Sequence, residues 1–280
     1  MISAREENDA LENAYVPEHT VSMMKLISGG EPFLTDGYLS FVAGNWAIVV
    51  GYPLHGTFRS GHFSRLIEDT IERLRPDALW FIAPEPVSSL ARLCHERESD
   101  DYYTLTLEGF EAKGDLRSAV ARASRRLQVS NEKAISTAHQ ELVSEFLDRE
   151  KPAPRLRQLF LKMPDYVPHS DTARVLTARD QDGNVCGFFV VELAAANFAT
   201  YVVGCRSGRH RVAGASDLLF FEMVNLARAH GKRYIHLGLG VNEGIRRFKK
   251  KWGGVPSRRY EFFGRSRAGP PFFEALASKL

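Results

Sequence analysis

Leu237-Gly-Leu-Gly-Val-Asn-Glu-Gly244-Ile-Arg-Arg-Phe248-Lys249-Lys-Lys251-Trp252-Gly-Gly254, with Arg258-Arg-Tyr260 just after it, is the stretch on which the fold turns. The pattern predicts a buried strand over 234–239 that ends in glycines, leaving room for a ligand at the sheet edge, and then a short basic helix over 243–252. Ile245, Phe248 and Trp252 stand at i, i+3 and i+7 and form its apolar face, so Phe248 and Trp252 are expected to pack. Arg246, Arg247, Lys249, Lys250 and Lys251 are expected to face elsewhere.

Upstream lies Arg206-Ser-Gly-Arg-His-Arg-Val-Ala-Gly-Ala-Ser216, between a strand over 200–205 and a helix over 216–230 that Gly231 caps. Backbone N–H groups at such a helix N-terminus, together with its dipole, favour an anion. Gly208 and Gly214 permit close backbone approach, and Arg206, Arg209 and Arg211 add positive charge.

Working outward, strands are expected over 175–178 and 185–193 around the Asp182-Gly183 turn, and helices over 115–127 and 132–149. The first half repeats the theme: strands 38–43 and 46–52 around Gly44-Asn45, a helix over 60–74 stopped by Pro76, and a buried strand over 78–83. A short helix over 87–96, a strand over 102–107 and a last strand over 259–263 complete the set. The matching order suggests one α/β unit used twice, with a boundary near 109–114.

The 280 residues are 44% hydrophobic and 25% charged, which excludes a disordered or fibrous chain. The net charge of +3 is unevenly spread. Residues 203–268 hold fifteen Lys and Arg against four acids, and the remaining chain is acidic. A basic region of that kind attracts phosphate-bearing ligands. Three cysteines, Cys94, Cys186 and Cys205, form no CxxC pair and fit a reducing compartment, and the nine histidines show no metal-ligand spacing. The N-terminus lacks the apolar segment of a signal peptide, so a cytoplasmic protein is expected. Two weakly charged stretches, 37–58 and 183–205, are broken by turn formers and read as strand pairs, not transmembrane segments.

The segment 237–260 resembles the C-terminal part of Fem-type aminoacyltransferases and the soluble domain of phosphatidylglycerol lysyltransferases, in which a strand, a glycine and a Phe-Lys-x-Lys-aromatic sequence follow one another. Here that sequence is Phe248-Lys249-Lys250-Lys251-Trp252. Arg211-Val-Ala-Gly214-Ala-Ser216 resembles the R/Q-x-x-G-x-G/A pyrophosphate loop of the GNAT acyltransferase superfamily, with Ser216 where Gly or Ala is usual. Tyr103-Thr-Leu-Thr-Leu-Glu108 and the Arg-rich run from Leu116 to Arg126 resemble the linker strand and helix of the Fem-type proteins. These motifs cover residues 102–263; before residue 100 only the order of elements supports the likeness.

The resemblance implies an α/β protein with mixed sheets (α+β in the broader sense), built of two tandem GNAT-like domains, a degenerate one over 1–110 and a catalytic one over 111–280. It implies transfer of an aminoacyl group from aminoacyl-tRNA to an amine or hydroxyl acceptor. Lys249 would offset charge on the donor or the tetrahedral intermediate, as attack on an ester carbonyl requires. Glu192 and Asn242 are the candidates to orient or deprotonate the acceptor. Arg206, Arg209, Arg211, Gly214, Ser216, Phe248 and Lys251 are the candidates to hold the donor. No tightly bound cofactor and no metal is expected, and a homodimer is compatible with the chain. Two alternatives stand beside this reading: an acyl-CoA-dependent N-acyltransferase, and a non-catalytic phosphate- or RNA-binding module.

Overall fold

Trp46-Ala-Ile-Val-Val50 is apolar at every position, as suits a strand buried on both faces. In the computed structural model, which describes residues 1–266, it is so. The end of the expected catalytic domain and of the basic region, residues 267–280, lies outside the described residues. Two compact units emerge. Among the described residues, one comprises Met1–Tyr103, Leu239–Ile245 and 256–266; the other comprises Thr104–Gly238 and Arg246–Val255.

Unit 1 contains α1 (Ala4–Glu12), α2 (Val21–Ser28), β1 (Glu31–Thr35), β2 (Tyr38–Ala43), β3 (Trp46–Val50), α3 (Ser60–Leu74) and β4 (Ala78–Ala83). It also takes most of β5 (Glu96–Thr106) and β11 (Val255–Ser266). Ser3 and Glu6 form a capping box that starts α1. The strand order is β1-β2-β3-β4-β11-β5. β1, β2 and β3 are antiparallel, β3 and β4 parallel, and β4 and β11 antiparallel. Alternation decides the two faces. Trp46, Ile48 and Val50 of β3, with Trp80 and Ile82 of β4, join Ala10 and Val21 from the first two helices. Ala47, Val49, Leu79 and Phe81 join Phe63, Leu66 and Ile67 of α3. A β-strand period of two therefore puts alternate side chains into two cores, each large side chain contributing about 1.5–3 kcal/mol by burial.

Unit 2 repeats the order. Following α4 (Gly114–Ala123) and β6 (Gln128–Glu132) come α5 (Thr137–Glu150), α6 (Pro154–His169), β7 (Ala173–Arg179), β8 (Val185–Glu192), β9 (Phe198–Arg206), α7 (Ala215–Ala229) and most of β10 (Tyr234–Leu239) and of α8 (Glu243–Lys251). Its strand order is β10-β9-β8-β7-β6. Again three successive strands are antiparallel, and the strand after the long helix is parallel to the third. α7 packs against β7, β8 and β9, and α5 against β8 and β9. Each unit thus runs helix, helix, strand, strand, strand, helix, strand.

Several elements differ from the sequence reading. The strands 38–43 and 46–52 and those at 183–205 are confirmed as pairs, and no helix among the described residues is long and apolar enough to cross a membrane. The helix expected over 87–96 is only a 3-10 turn at Ala91–Leu93, and β5 begins earlier, at Glu96. α6 was hidden by Pro164 and Pro168, which break its internal hydrogen bonds; Phe160, Met163, Tyr166 and Val167 are buried on one face and hold it together. β6, Gln-Val-Ser-Asn-Glu, is polar because it is the outer strand of its sheet, and it read as the join between two helices.

Candidate functional site

In unit 2 the connection from β9 to α7 is the loop 207–214. Gly214, the residue capping α7, has φ +82, the left-handed region open to glycine. A Cβ there would stand 3.1 Å from the Ala119 carbonyl oxygen and 3.2 Å from the Ala123 Cβ, so the glycine is also where α4 crosses the start of α7. Close backbone approach at Gly214 thus serves a helix of the same chain.

The other end of the loop already holds an anion. Glu145 of α5 accepts from the Gly208 N–H at 2.5 Å and from the Ser207 hydroxyl at 3.1 Å, while Arg149 pairs with it at 2.9 Å. Burial alone would raise the Glu145 pKa. The Gly208 and Arg209 N–H groups, Ser207 and Arg149 outweigh it and hold the carboxyl below its ordinary range. The Ser207 hydroxyl also accepts from the His210 N–H at 2.9 Å. Arg206, Arg209 and Arg211 are exposed, and Ser216 is half-buried. Arg122, Arg125 and Arg126, at the end of α4 and in the turn after it, are exposed too. Neither Glu145 nor Arg149 was singled out from sequence; their i, i+4 spacing on a helix was the only available signal.

α8 distributes its three lysines unequally. Lys249 is 4% exposed, whereas Lys250 and Lys251 are exposed. The expectation that all the basic residues face away from the apolar side therefore fails at Lys249. Lys251 Nζ pairs with Asp217 at 2.8 and 2.9 Å, and Asp217 Oδ1 also accepts from Trp252 Nε1 at 3.0 Å. Asp217 lies in the first turn of α7, so this carboxylate ties the two helices together. Trp252 stacks on Phe220 at 4.5 Å, and Phe248 meets the same ring edge-on at 5.6 Å, so both pack as expected.

Glu192 is 1% exposed and fully engaged. Its Oε1 accepts from the N–H groups of Leu193 and Ala194, both at 2.8 Å; its Oε2 accepts from Ser170 Oγ at 3.1 Å and from the Tyr166 hydroxyl. It lies opposite Thr200, whereas Gly187 at the other end of β8 lies opposite Arg206 beside the loop. That is a separation of about 17 Å along the strand at a rise of roughly 3.4 Å per residue. The structure does not bring Glu192 to the loop.

Asn242 has a visible structural task within unit 1, where its Oδ1 accepts from the Ile245 N–H at 2.9 Å and caps α8. Just before it, Val241 has φ +57, a costly conformation for a β-branched residue, and its N–H donates to Asp100 at 2.7 Å. His236 accepts the Gly238 N–H on Nδ1 at 3.2 Å, in keeping with a hydrogen-bonded sheet histidine. All three cysteines are buried and unbridged, and burial pushes each thiol pKa up, so none is a ready nucleophile. Among the described residues no group of three or more His, Cys, Asp and Glu could hold a metal.

No protein-family model and no curated protein matches the chain in sequence. Solved structures do match in fold. The C-terminal domain of a protein described as a lysylphosphatidylglycerol synthetase, from Agrobacterium fabrum, superposes with a TM-score of 0.60 at 16% identity, covering 99% of this chain and 96% of that one. FemX gives 0.59 at 13% identity over 100% and 99% of the two chains. A tandem GNAT protein from the clavulanic acid biosynthesis pathway gives 0.55 at 14% identity over 83% and 79%. The chain has the mixed α/β fold of these proteins, with the GNAT-like unit in tandem.

Proposed function

We propose that this chain is an acyltransferase in which an amine or hydroxyl acceptor directly attacks an aminoacyl ester, with aminoacyl-tRNA as the donor. The observation that carries the choice of donor is Glu145. Its carboxylate takes the N–H groups of Gly208 and Arg209 at the start of the loop, and α4 fills the space beside Gly214 within the Arg211–Ser216 stretch that resembles a pyrophosphate loop. A donor that needs no pyrophosphate there, and that meets the exposed Arg206, Arg209 and Arg211 as a polyanion, fits this arrangement better. The likeness to FemX and to the protein described as a lysylphosphatidylglycerol synthetase points the same way.

In the reaction the acceptor lone pair bonds to the ester carbonyl carbon, whose oxygen becomes an oxyanion. Collapse restores the carbonyl and breaks the bond to the ribose oxygen, which leaves with the proton released by the acceptor. Lys249, buried on α8, is the group we assign to the oxyanion. Phe248 and Lys251 support it by fixing α8 on α7.

The test is a thermal shift and a transfer assay with the purified chain. Aminoacyl-tRNA is expected to raise the melting temperature and CoA to leave it unchanged. Lys249→Met should keep the fold yet slow aminoacyl transfer by about 100-fold or more, since it removes one oxyanion contact. Stabilisation by micromolar CoA alone would overturn the donor assignment in favour of the acyl-CoA enzyme, which the Arg211-x-x-Gly214-x-Ser216 spacing also suits. Donor binding without turnover in any assay would leave the binding-module reading.

A further inference from the structure

Unit 1 has its own cleft at the place that unit 2 fills with the loop 207–214, namely the connection from the third antiparallel strand to the long helix. The parallel pair β3 and β4 stays in register to Val50 and Ile82, and a last bond runs from the Gly51 N–H to the Ile82 carbonyl at 2.8 Å. A Cβ at Gly51 would sit 2.4 Å from that oxygen, so the approach requires glycine. Beyond it stand Pro53 and Pro84, which the cleft uses as walls; proline has no N–H to continue a ladder. The cavity that opens there has a volume of about 380 Å³, within the range of small-molecule sites.

Its floor is aromatic and held in place. Tyr52 is buried, and its hydroxyl donates to the Arg259 carbonyl at 2.5 Å. Tyr15 donates to the Pro53 carbonyl at 2.8 Å, and Phe58 packs on Phe63 of α3 at 5.5 Å. Two arginines line the rim, with different fates. Arg259 is taken by Glu261 at 2.7 Å and Asp101 at 3.5 Å. Arg258 lies over the Tyr15 ring at 4.6 Å and, among the described residues, has no carboxylate within ion-pair distance. His19 beside them adds no charge near neutral pH, because burial holds its pKa at about 4.

From the cavity, its oriented aromatic floor and the exposed guanidinium of Arg258, which is in no ion pair among the described residues, we infer that unit 1 binds a small molecule with one anionic end, carboxylate or phosphate, on a flat or apolar body. The cleft is built from residues of unit 1 alone, and the inference does not depend on the acyl-transfer reading. A stacked arginine presents its N–H fork edge-on, which matches either anion, while prolines and aromatic faces take the body.

Phenylacetate and phenyl phosphate, with neutral phenylacetamide as control, are titrated into the full chain and followed by ligand-observed NMR and calorimetry. At least one of the two anions is expected to bind saturably and more tightly than the amide, and the stronger arm tells carboxylate from phosphate. Arg258→Gln should weaken that anion by about 10-fold or more while leaving the amide unchanged, and Arg258→Lys should restore part of the loss. Three results would overturn the assignment: no saturation by either anion below about 10 mM, equal binding of the amide, or binding indifferent to Arg258→Gln. Arg258 is exposed, so the variant is not expected to unfold the chain, and aminoacyl-tRNA stabilisation measured in parallel separates failure here from failure of the donor assignment.

Discussion

His19 is fully buried, with its ring nitrogens facing the Tyr52 carbonyl at 2.8 Å and the Tyr15 N–H at 3.4 Å. An imidazole that accepts at Nδ1 and donates from Nε2 must be neutral, and burial, aided by Arg258, lowers its pKa from 6.5 to about 4. The unfolded chain therefore binds one more proton than the folded one between those values, and stability rises with pH across that window. The contribution is complete above pH 6.5 and is lost as pH falls through 4, for a total of about 3 kcal/mol. His19→Gln, which can still hydrogen-bond, is expected to flatten the stability profile between pH 4 and 6.5 in urea titrations; an unchanged slope would show that another group governs it. Single residues were the least legible part of the sequence. Lys249 could be singled out by its motif, but its burial beside two exposed lysines could not. Glu145 drew no attention because its partner, the Gly208 N–H, lies 63 positions away and belongs to the backbone. Glu192 drew attention for a reason the structure dissolves: a carboxylate in an apolar strand stood out until its four donors were seen.

At the scale of elements, periodicity found what burial drives and missed what polarity or proline conceals. The strands 46–50, 78–83 and 185–192 and the helices 60–74 and 215–229 were readable because their apolar residues carry the period of the element. α1, α2 and β1 are amphipathic pieces of nine, eight and five residues, too short for the pattern to stand out. The contact of α4 with α7 is the most consequential element pairing that sequence could not show. It turns Gly214 from a ligand-facing glycine into a helix-crossing one. Gly214→Ala combines a left-handed backbone with a Cβ at 3.1 Å from a carbonyl oxygen, so a loss of about 1–3 kcal/mol is expected from chemical denaturation. A neutral effect would mean that α4 gives way easily and that the start of α7 can open to a ligand.

Over the whole molecule, the charge asymmetry survives folding only in part. Arg228 donates to the carbonyls of Leu107 and Phe110, Lys232 to that of Ala195, Lys251 to Asp217 and Arg259 to Glu261, so these cations are spent on the fold. The exposed arginines of the loop 207–214 and of its neighbour α4 remain, and they stand in one unit. If three to six of them meet phosphates, tRNA binding should lose affinity with a log–log salt slope of about −2 to −4. Filter binding between low and physiological KCl measures it, and a flat profile would remove nucleic acid from the reading.

The sequence by itself determined the doubled α/β plan, because strand and helix periods are local and were present twice. It also determined the location of the basic region, because charge needs no fold to be counted. Tertiary structure alone decided which charges are spent and which stay exposed, that Glu145 takes the N–H groups at the start of the loop 207–214, and that unit 1 keeps an aromatic cleft lined by two arginines, one of them outside any ion pair among the described residues. Those outcomes depend on residues far apart in the chain meeting in space, and no pattern of spacing encodes such a meeting.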